Sequence, residues 1–288
     1  MKATSQANVT TVDFIGRDFG HMSTYHDHKY ECAWCYMHPQ SRQCLTPRML
    51  SGMNDWASFL RNSADQIGIK YHVITTKRAG AFNLGGDLEL FSHLSKTGDR
   101  DGLMKYATAC IDVLYANLTG FNQEVTTISL VKGSALGGGF EAALSSDVLI
   151  AEKNAKMGFP EVLFNLFPGM GAYSFLSRKI GQKQAERMIL SGKLYDAVEL
   201  HDMGLVDVLV DEEEGDLAVY EYIERENRAR NGFRALRKVR DYCDPISYES
   251  LLYSVNIWVD AAMKLTDRDL RMMDRFVKRQ LHHGVAAA

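Results

Sequence analysis

The sequence predicts an α/β protein whose buried strands are largely parallel and are joined by helices. Three observations carry that prediction. Thr126–Val131 (TTISLV) is apolar and β-branched, as a strand buried on both faces requires. Tyr71–Thr76 (YHVITT) is a second strand, and both runs lead through glycine-bearing turns toward helical segments. Between them, residues 101–118 place Leu103, Tyr106, Ala107, Cys110, Ile111 and Leu114 on one helical face.

The chain has 288 residues, of which 46% are hydrophobic, enough for one large domain or for a domain with a helical appendage. A net charge of −3 gives no global attraction to nucleic acid or an anionic membrane. No basic segment followed by an apolar run opens the chain, and no stretch of 18 residues is free of charge. The expectation is a cytoplasmic chain without membrane insertion. Five cysteines are an odd count and too sparse for a disulfide framework, which suits a reducing compartment.

Residues 1–28 are polar and His-rich, and the first strand is expected at Lys29–Met37, ending at Pro39. Thr46 and Pro47 are a cap and a first-turn residue for a helix with Leu50, Met53, Trp56 and Leu60 on one face. His26, His28, Cys32, Cys35 and His38 invite a zinc site. Tyr30, Cys32, Trp34 and Tyr36 alternate with Glu31, Ala33 and Cys35, however, so the two cysteines of one strand would face opposite ways about 10 Å apart. No metal is expected, and the histidines read as surface or interface groups. In the loop from Arg78 to Leu88, Gly85 and Gly86 let the main chain approach a ligand closely, and Asp87 can cap the helix that follows.

The segment after Val131 holds the densest chemistry. Gly137-Gly138-Gly139 opens a helix, where unsatisfied N–H groups favour developing negative charge. GGGFEA formally fits a dinucleotide pattern, but no suitable acid ends the next strand about 20 residues on, and the motif lies mid-chain rather than in an opening βαβ unit. No G-x-x-x-x-G-K-[ST] run occurs. A plain helix start packed on the sheet is the remaining rival. Glu141 lies in the first helical turn, where the dipole alone would favour it. Glu161 stands between Phe159-Pro160 and Val162-Leu163-Phe164, where desolvation would raise its pKa. Two such acids at one oxyanion site would move protons. Spacing alone leaves their convergence open.

AFNLGGDLELF (81–91), KGSALGGGFEAALSSDVLIA (132–151), FPEVLFNLFPGMGAYSFLSRKIG (159–181) and SGKLYDAVELHDMGLVDVLV (191–210) together resemble the crotonase (enoyl-CoA hydratase/isomerase) superfamily. The resemblance implies a spiral of ββα repeats with a C-terminal helical cap. It also implies acyl-thioester substrates, an oxyanion hole at Gly86 and Gly138 (neighbours Gly85 and Gly137), and catalytic roles for Glu141 and Glu161. The flanks, YHDHKYECAWCYMHP (25–39) and the tail from Tyr242, resemble the diffusible signal factor (DSF) synthases within that superfamily. That likeness implies dehydration of a 3-hydroxyacyl chain on acyl carrier protein, then hydrolysis to a cis-2-unsaturated acid used in quorum sensing. It implies no cofactor, a homotrimer or hexamer, and contact with a sensor histidine kinase.

Helices are expected at 172–181 and 184–191, and Asp211–Glu214 reads as a solvated acidic turn. Residues 225–240 carry six arginines and Lys238 against Glu226 alone, a basic segment that would suit an acidic carrier protein or CoA phosphates, or a solvated face. The tail shows an apolar stripe through Leu251, Val255, Trp258 and Val259, then Met273 and Phe276. Leu136, Met170, Trp258 and Phe276 are the candidates for an acyl pocket. The expected division is an extension (1–28), a core (29–215) and a helical region over the pocket (216–288). A generic enoyl-CoA hydratase or isomerase is the alternative enzyme, and a regulatory protein with a vestigial site is the non-enzymatic one. Retention of both acids argues against the last.

Overall fold

The computed structural model describes residue 16 and residues 18–38, 42–77 and 80–285, with side chains as far as 278. Pro39, Arg78 and the closing Ala286–Ala288 lie outside the described residues.

The N-terminal hairpin pairs β1 (Met22–Asp27) with β2 (Cys32–Met37) antiparallel. A strand at 22–27 corrects the expectation of a polar extension there. Its inward positions are Met22, Thr24 and His26, so two of the three buried side chains are polar and the apolar alternation that marks a strand is hidden. His26 is therefore buried, not a surface group, while His28 stays exposed. Cys32 and Cys35 do fall in different cores, as their odd spacing in a strand requires.

α1 (Pro47–Ser63) starts at Thr46, whose hydroxyl accepts the Met49 N–H at 3.2 Å. Then come β3 (Tyr71–Thr76), β4 (Gly80–Asn83), α2 (Leu88–Thr97) and α3 (Arg100–Leu118). The pattern repeats with β5 (Thr126–Val131), β6 (Gly133–Leu136) and α4 (Gly138–Leu144). A third turn of the spiral brings β7 (Val148–Glu152), β8 (Lys156–Gly158) and a 3-10 turn at Pro160–Phe164. α5 (Ala172–Ile180), α6 (Gln182–Ser191), β9 (Leu194–Asp196), α7 (Ala197–Asp202) and β10 (Val208–Val210) complete it.

Each repeat sends one strand to each of two sheets. The larger runs β1-β2-β3-β5-β7-β10 and is parallel from β2 onward; the smaller runs β4-β6-β8-β9 and is parallel through β8. The larger sheet is covered on both faces. One face joins the main core with α1, α3 and α4; on the other, Trp34, Val73, Ile128, Leu130 and Ile150 pack on Val219, Tyr222 and Ile223 of α8 (Gly215–Asn227). That double burial is why β3 and β5 were legible as uninterrupted runs.

The chain ends in α9 (Arg230–Cys243), α10 (Tyr248–Ala262) and α11 (Asp267–Val285). Four cations of α9 meet acids, most of them contributed by other elements, which narrows the basic-segment expectation. Arg234 and Lys238 pair with Glu124, and Arg240 bonds Asp147 at 2.8 Å. Arg237 grips Glu226 through two bonds, 2.6 and 2.9 Å, and Glu226 also accepts Thr126 Oγ1–H at 2.8 Å. Glu226 is fully buried. Desolvation pushes its carboxyl up, but the Arg237 guanidinium and the hydroxyl donors outweigh that and hold it below the usual range.

Removing one member of such a pair strands the other. Arg237→Leu should lower unfolding free energy by about 3–5 kcal/mol at pH 7, read by urea denaturation. The wild-type advantage is present above the unfolded pKa of Glu226 and is lost as pH falls through its depressed folded value. Arg237→Leu with Glu226→Leu should recover most of the loss.

Candidate active site

The site forms where the glycine turns after β4 and β6 lie side by side. These strands pair in parallel, Ala81 opposite Ser134 and Asn83 opposite Ala135, so the two turns leave the small sheet at the same edge. Gly137 has φ = +52°, and a Cβ there would overlap Oε1 of Glu161. A Cβ on Gly138 would overlap Met170 Cε and stand 3.4 Å from the Gly86 nitrogen. The two turns can approach only because neither carries a side chain. Gly138 is the first residue of α4, so its N–H has no carbonyl to reach within its own helix.

Glu141 lies one turn into α4 and is 1% exposed. Its Oε1 accepts the N–H of Met170 at 2.7 Å and of Ala172 at 2.9 Å. Ala172 opens α5, so the carboxylate also caps that helix. Burial lifts Glu141 to about 7 against the pull of those two donors. Glu161 sits in the 3-10 turn, whose Pro160 fixes the approach. Among the described residues its buried Oε2 has no hydrogen-bond partner. Burial, reinforced by the charge of Glu141, pushes Glu161 up to about 8. Both acids therefore hold or release protons near neutrality.

Glu141, Glu161, Gly86 and Gly138 line one cavity of about 510 Å³, counted out to its open mouth. Leu88 and Phe91 from α2, Tyr106, Ala107 and Cys110 from α3, Phe164 and Leu166, and Trp258 from α10 complete a mainly apolar wall. The size and the few convergent polar groups suit a small acyl ligand. Met170 and Trp258 fall on the wall, and Trp258 packs on Phe91 with ring centroids 4.9 Å apart.

Two of the expected pocket residues do not reach it. Leu136 is the last residue of β6, paired with Gly158, and stands off the wall. Phe276 packs edge-on against Phe164, centroids 5.5 Å apart, one layer behind the cavity. Sequence reading also missed Tyr106. Its spacing placed it among core residues, and the one available signal was that a buried phenol needs hydrogen-bond partners.

Two sheets fed alternately by ββα repeats thus carry paired acids and glycine amides on one cavity. The enoyl-CoA hydratase/isomerase family profile matches residues 38–241, and the chain belongs to that family. A Mycobacterium tuberculosis protein named probable enoyl-CoA hydratase echA8 is 34% identical over 172 residues, 60% of this chain and 62% of that protein's length. DspI of Pseudomonas aeruginosa superposes with a TM-score of 0.68 at 23% identity, covering 94% of this chain and 99% of DspI. The human mitochondrial delta3-delta2-enoyl-CoA isomerase gives a TM-score of 0.72 at 20% identity, covering 91% and 99%. At those identities the two structures show a shared fold.

The turn at Gly137 is testable by adding one carbon. Gly137→Ala should cost about 1–3 kcal/mol through its positive φ and displace Glu161, with loss of turnover. Gly98→Ala, at φ = +71° in the left-handed region with open space around its Cβ, should cost about 1 kcal/mol and leave turnover intact. Thermal melts and kinetics on both variants check the contrast.

Proposed function

We propose that this chain dehydrates a 3-hydroxyacyl group carried on acyl carrier protein and then hydrolyses the thioester, releasing a cis-2-unsaturated fatty acid of the DSF class. The observation that carries the reading is the meeting of two carboxylates of raised pKa and two glycine amides on one apolar cavity. With one proton between them, one carboxylate removes the Cα proton while the other protonates the departing 3-hydroxyl. The amides of Gly86 and Gly138 hold the enolate oxygen.

In the second step a carboxylate takes a proton from water, whose oxygen attacks the thioester carbonyl. The same amides hold the tetrahedral oxyanion, and its collapse expels the thiol with a proton returned from the acid. The scheme needs no serine nucleophile, and it does not assign Glu141 and Glu161 to separate steps. The cis geometry, the carrier protein, a homotrimer or hexamer, a cytoplasmic location and a sensor histidine kinase partner rest on the resemblance of the flanks to DSF synthases. A C-terminal helical region over the pocket belongs to the same proposal: Trp258 of α10 in the cavity wall supports it, whereas α8 packs on the far face of the larger sheet and β1 extends the core to residue 22.

The second reading is an enoyl-CoA hydratase or isomerase acting on CoA esters. The name of the mycobacterial relative favours it, and the pairing of Arg234, Arg237, Lys238 and Arg240 with acids weakens the basic segment as support for an acidic carrier. Purified protein given 3-hydroxyacyl-carrier protein and the matching CoA ester separates the two. Free cis-2-enoic acid by mass spectrometry supports the proposal; trans-2-enoyl-CoA without free acid supports the hydratase, and no turnover of either supports a regulatory protein.

Glu141→Gln and Glu161→Gln should each lower kcat by about 10²–10⁴-fold. Full activity in both would remove the pair from the chemistry. The pH profile of kcat/KM should rise as the pair loses its first proton near 7 and fall as it loses the second near 8. A flat profile from pH 6 to 9 contradicts the shared-proton scheme.

A further inference from the structure

Tyr106 closes a hydrogen-bond chain around the Gly86 peptide. Its hydroxyl accepts the Asp87 N–H at 2.7 Å and donates to the Leu45 carbonyl at 2.8 Å. Leu45 in turn donates its N–H to the Gly85 carbonyl at 2.8 Å. The peptide between Gly85 and Gly86 is thereby held at its carbonyl, and the next peptide at its N–H. In a trans peptide the N–H points opposite the C=O, so fixing the Gly85 carbonyl on Leu45 turns the Gly86 N–H away from Leu45. Gly86 and Tyr106 both line the cavity, and Gly138 approaches from its other side.

The neighbouring bonds reinforce the same loop. Leu84 N–H donates to the Gln43 carbonyl at 2.7 Å, and Arg42 holds Asp87 through two bonds of 2.7 and 3.0 Å. Those contacts tether Leu84 and Asp87, on either side of the two glycines. Asn83 Oδ1 accepts the Gly85 N–H at 2.8 Å, and the phenol links α3 to the Asp87 N–H on the far side of the glycines. Desolvation, the first cause, holds the phenol well above its usual range, so it does not ionise in the working pH interval and serves as donor and acceptor only.

From this closed chain we infer that Tyr106 is a positioning residue, aiming the Gly86 amide at the thioester carbonyl. The inference rests on the oxyanion reading of Gly86 and Gly138. Without the hydroxyl, the Asp87 N–H and the Leu45 carbonyl lose their bridge, and a glycine pair has no side chain with which to hold its peptides in place. The consequence falls on transition-state binding more than on ground-state binding, because an oxyanion donor bonds most strongly where charge develops.

The test uses the full-length protein with Tyr106→Phe, and Tyr71→Phe as a control. Tyr71 is a second tyrosine whose hydroxyl bonds Asn227, at 2.8 Å, and it packs in the other core. Tyr106→Phe should lower kcat by about 10–100-fold with KM within about two-fold, while Tyr71→Phe leaves both unchanged. The decisive readout is the infrared stretch of a ¹³C=O-labelled saturated acyl thioester, which lacks the 3-hydroxyl and so cannot be dehydrated, recorded by rapid mixing before hydrolysis. Wild type should shift the bound carbonyl to lower frequency, and Tyr106→Phe should abolish the shift.

A shift retained in Tyr106→Phe, with only a lower melting temperature, overturns the positioning role. A bound thioester unshifted in wild type instead overturns the oxyanion reading beneath it. Should Tyr106→Phe fail to fold, 3-fluorotyrosine at 106 keeps the ring and hydroxyl but weakens the acceptor. A partial loss of the shift then supports the inference, and an unchanged shift overturns it.

Discussion

The close approach of two backbone turns, Gly85–Gly86 and Gly137–Gly138, is the constraint on which the rest of the structure depends. Parallel pairing of β4 with β6 sends both turns out at one edge, and the absence of side chains lets them meet. The remaining devices around the site hold that meeting point. α4 starts there and carries Glu141; the Pro160 turn brings Glu161 to the space beside Gly137; α3 supplies Tyr106 from behind. The larger sheet, buried on both faces, is the rigid base from which each ββα unit reaches the site.

The electrostatics follow from the same geometry. Two carboxylates in an apolar cavity lose hydration, and desolvation is the first cause of both raised pKa values. They are not equivalent, because Glu141 recovers part of its lost hydration from two backbone donors while Oε2 of Glu161 has none among the described residues. The stability sacrificed by burying them is small beside what a sheet covered on both faces supplies. The fold tolerates a proton-transfer pair in its interior for that reason.

Much of this was legible in the amino-acid order, and the illegible parts have physical causes. β3 and β5 read at their observed limits because both faces are buried and their β-branched runs are uninterrupted. The glycine turns and the two glutamates stood out because few other residue types fit those roles. β1 was hidden by Thr24 and His26 at inward positions. The acids that neutralise α9 come from Glu124 and Asp147, about ninety to a hundred and fifteen residues away in sequence, so no local pattern reveals them. Leu136 ends β6 two residues before the lining Gly138, and Phe276 stands behind Phe164, offsets that apolar patterning does not resolve. Tyr106 carries the same periodic signal as its core neighbours, and only its hydrogen bonds distinguish it.

Glu141 serves as proton-transfer candidate and as helix cap with the same oxygen, and this ties chemistry to stiffness. An ionised carboxylate makes stronger bonds to N–H donors than a protonated one. The segment it holds begins at Met170, whose side chain forms part of the cavity wall, and continues into the first turn of α5. Each proton that Glu141 takes up therefore loosens the wall beside it, and each proton it gives away tightens that wall again.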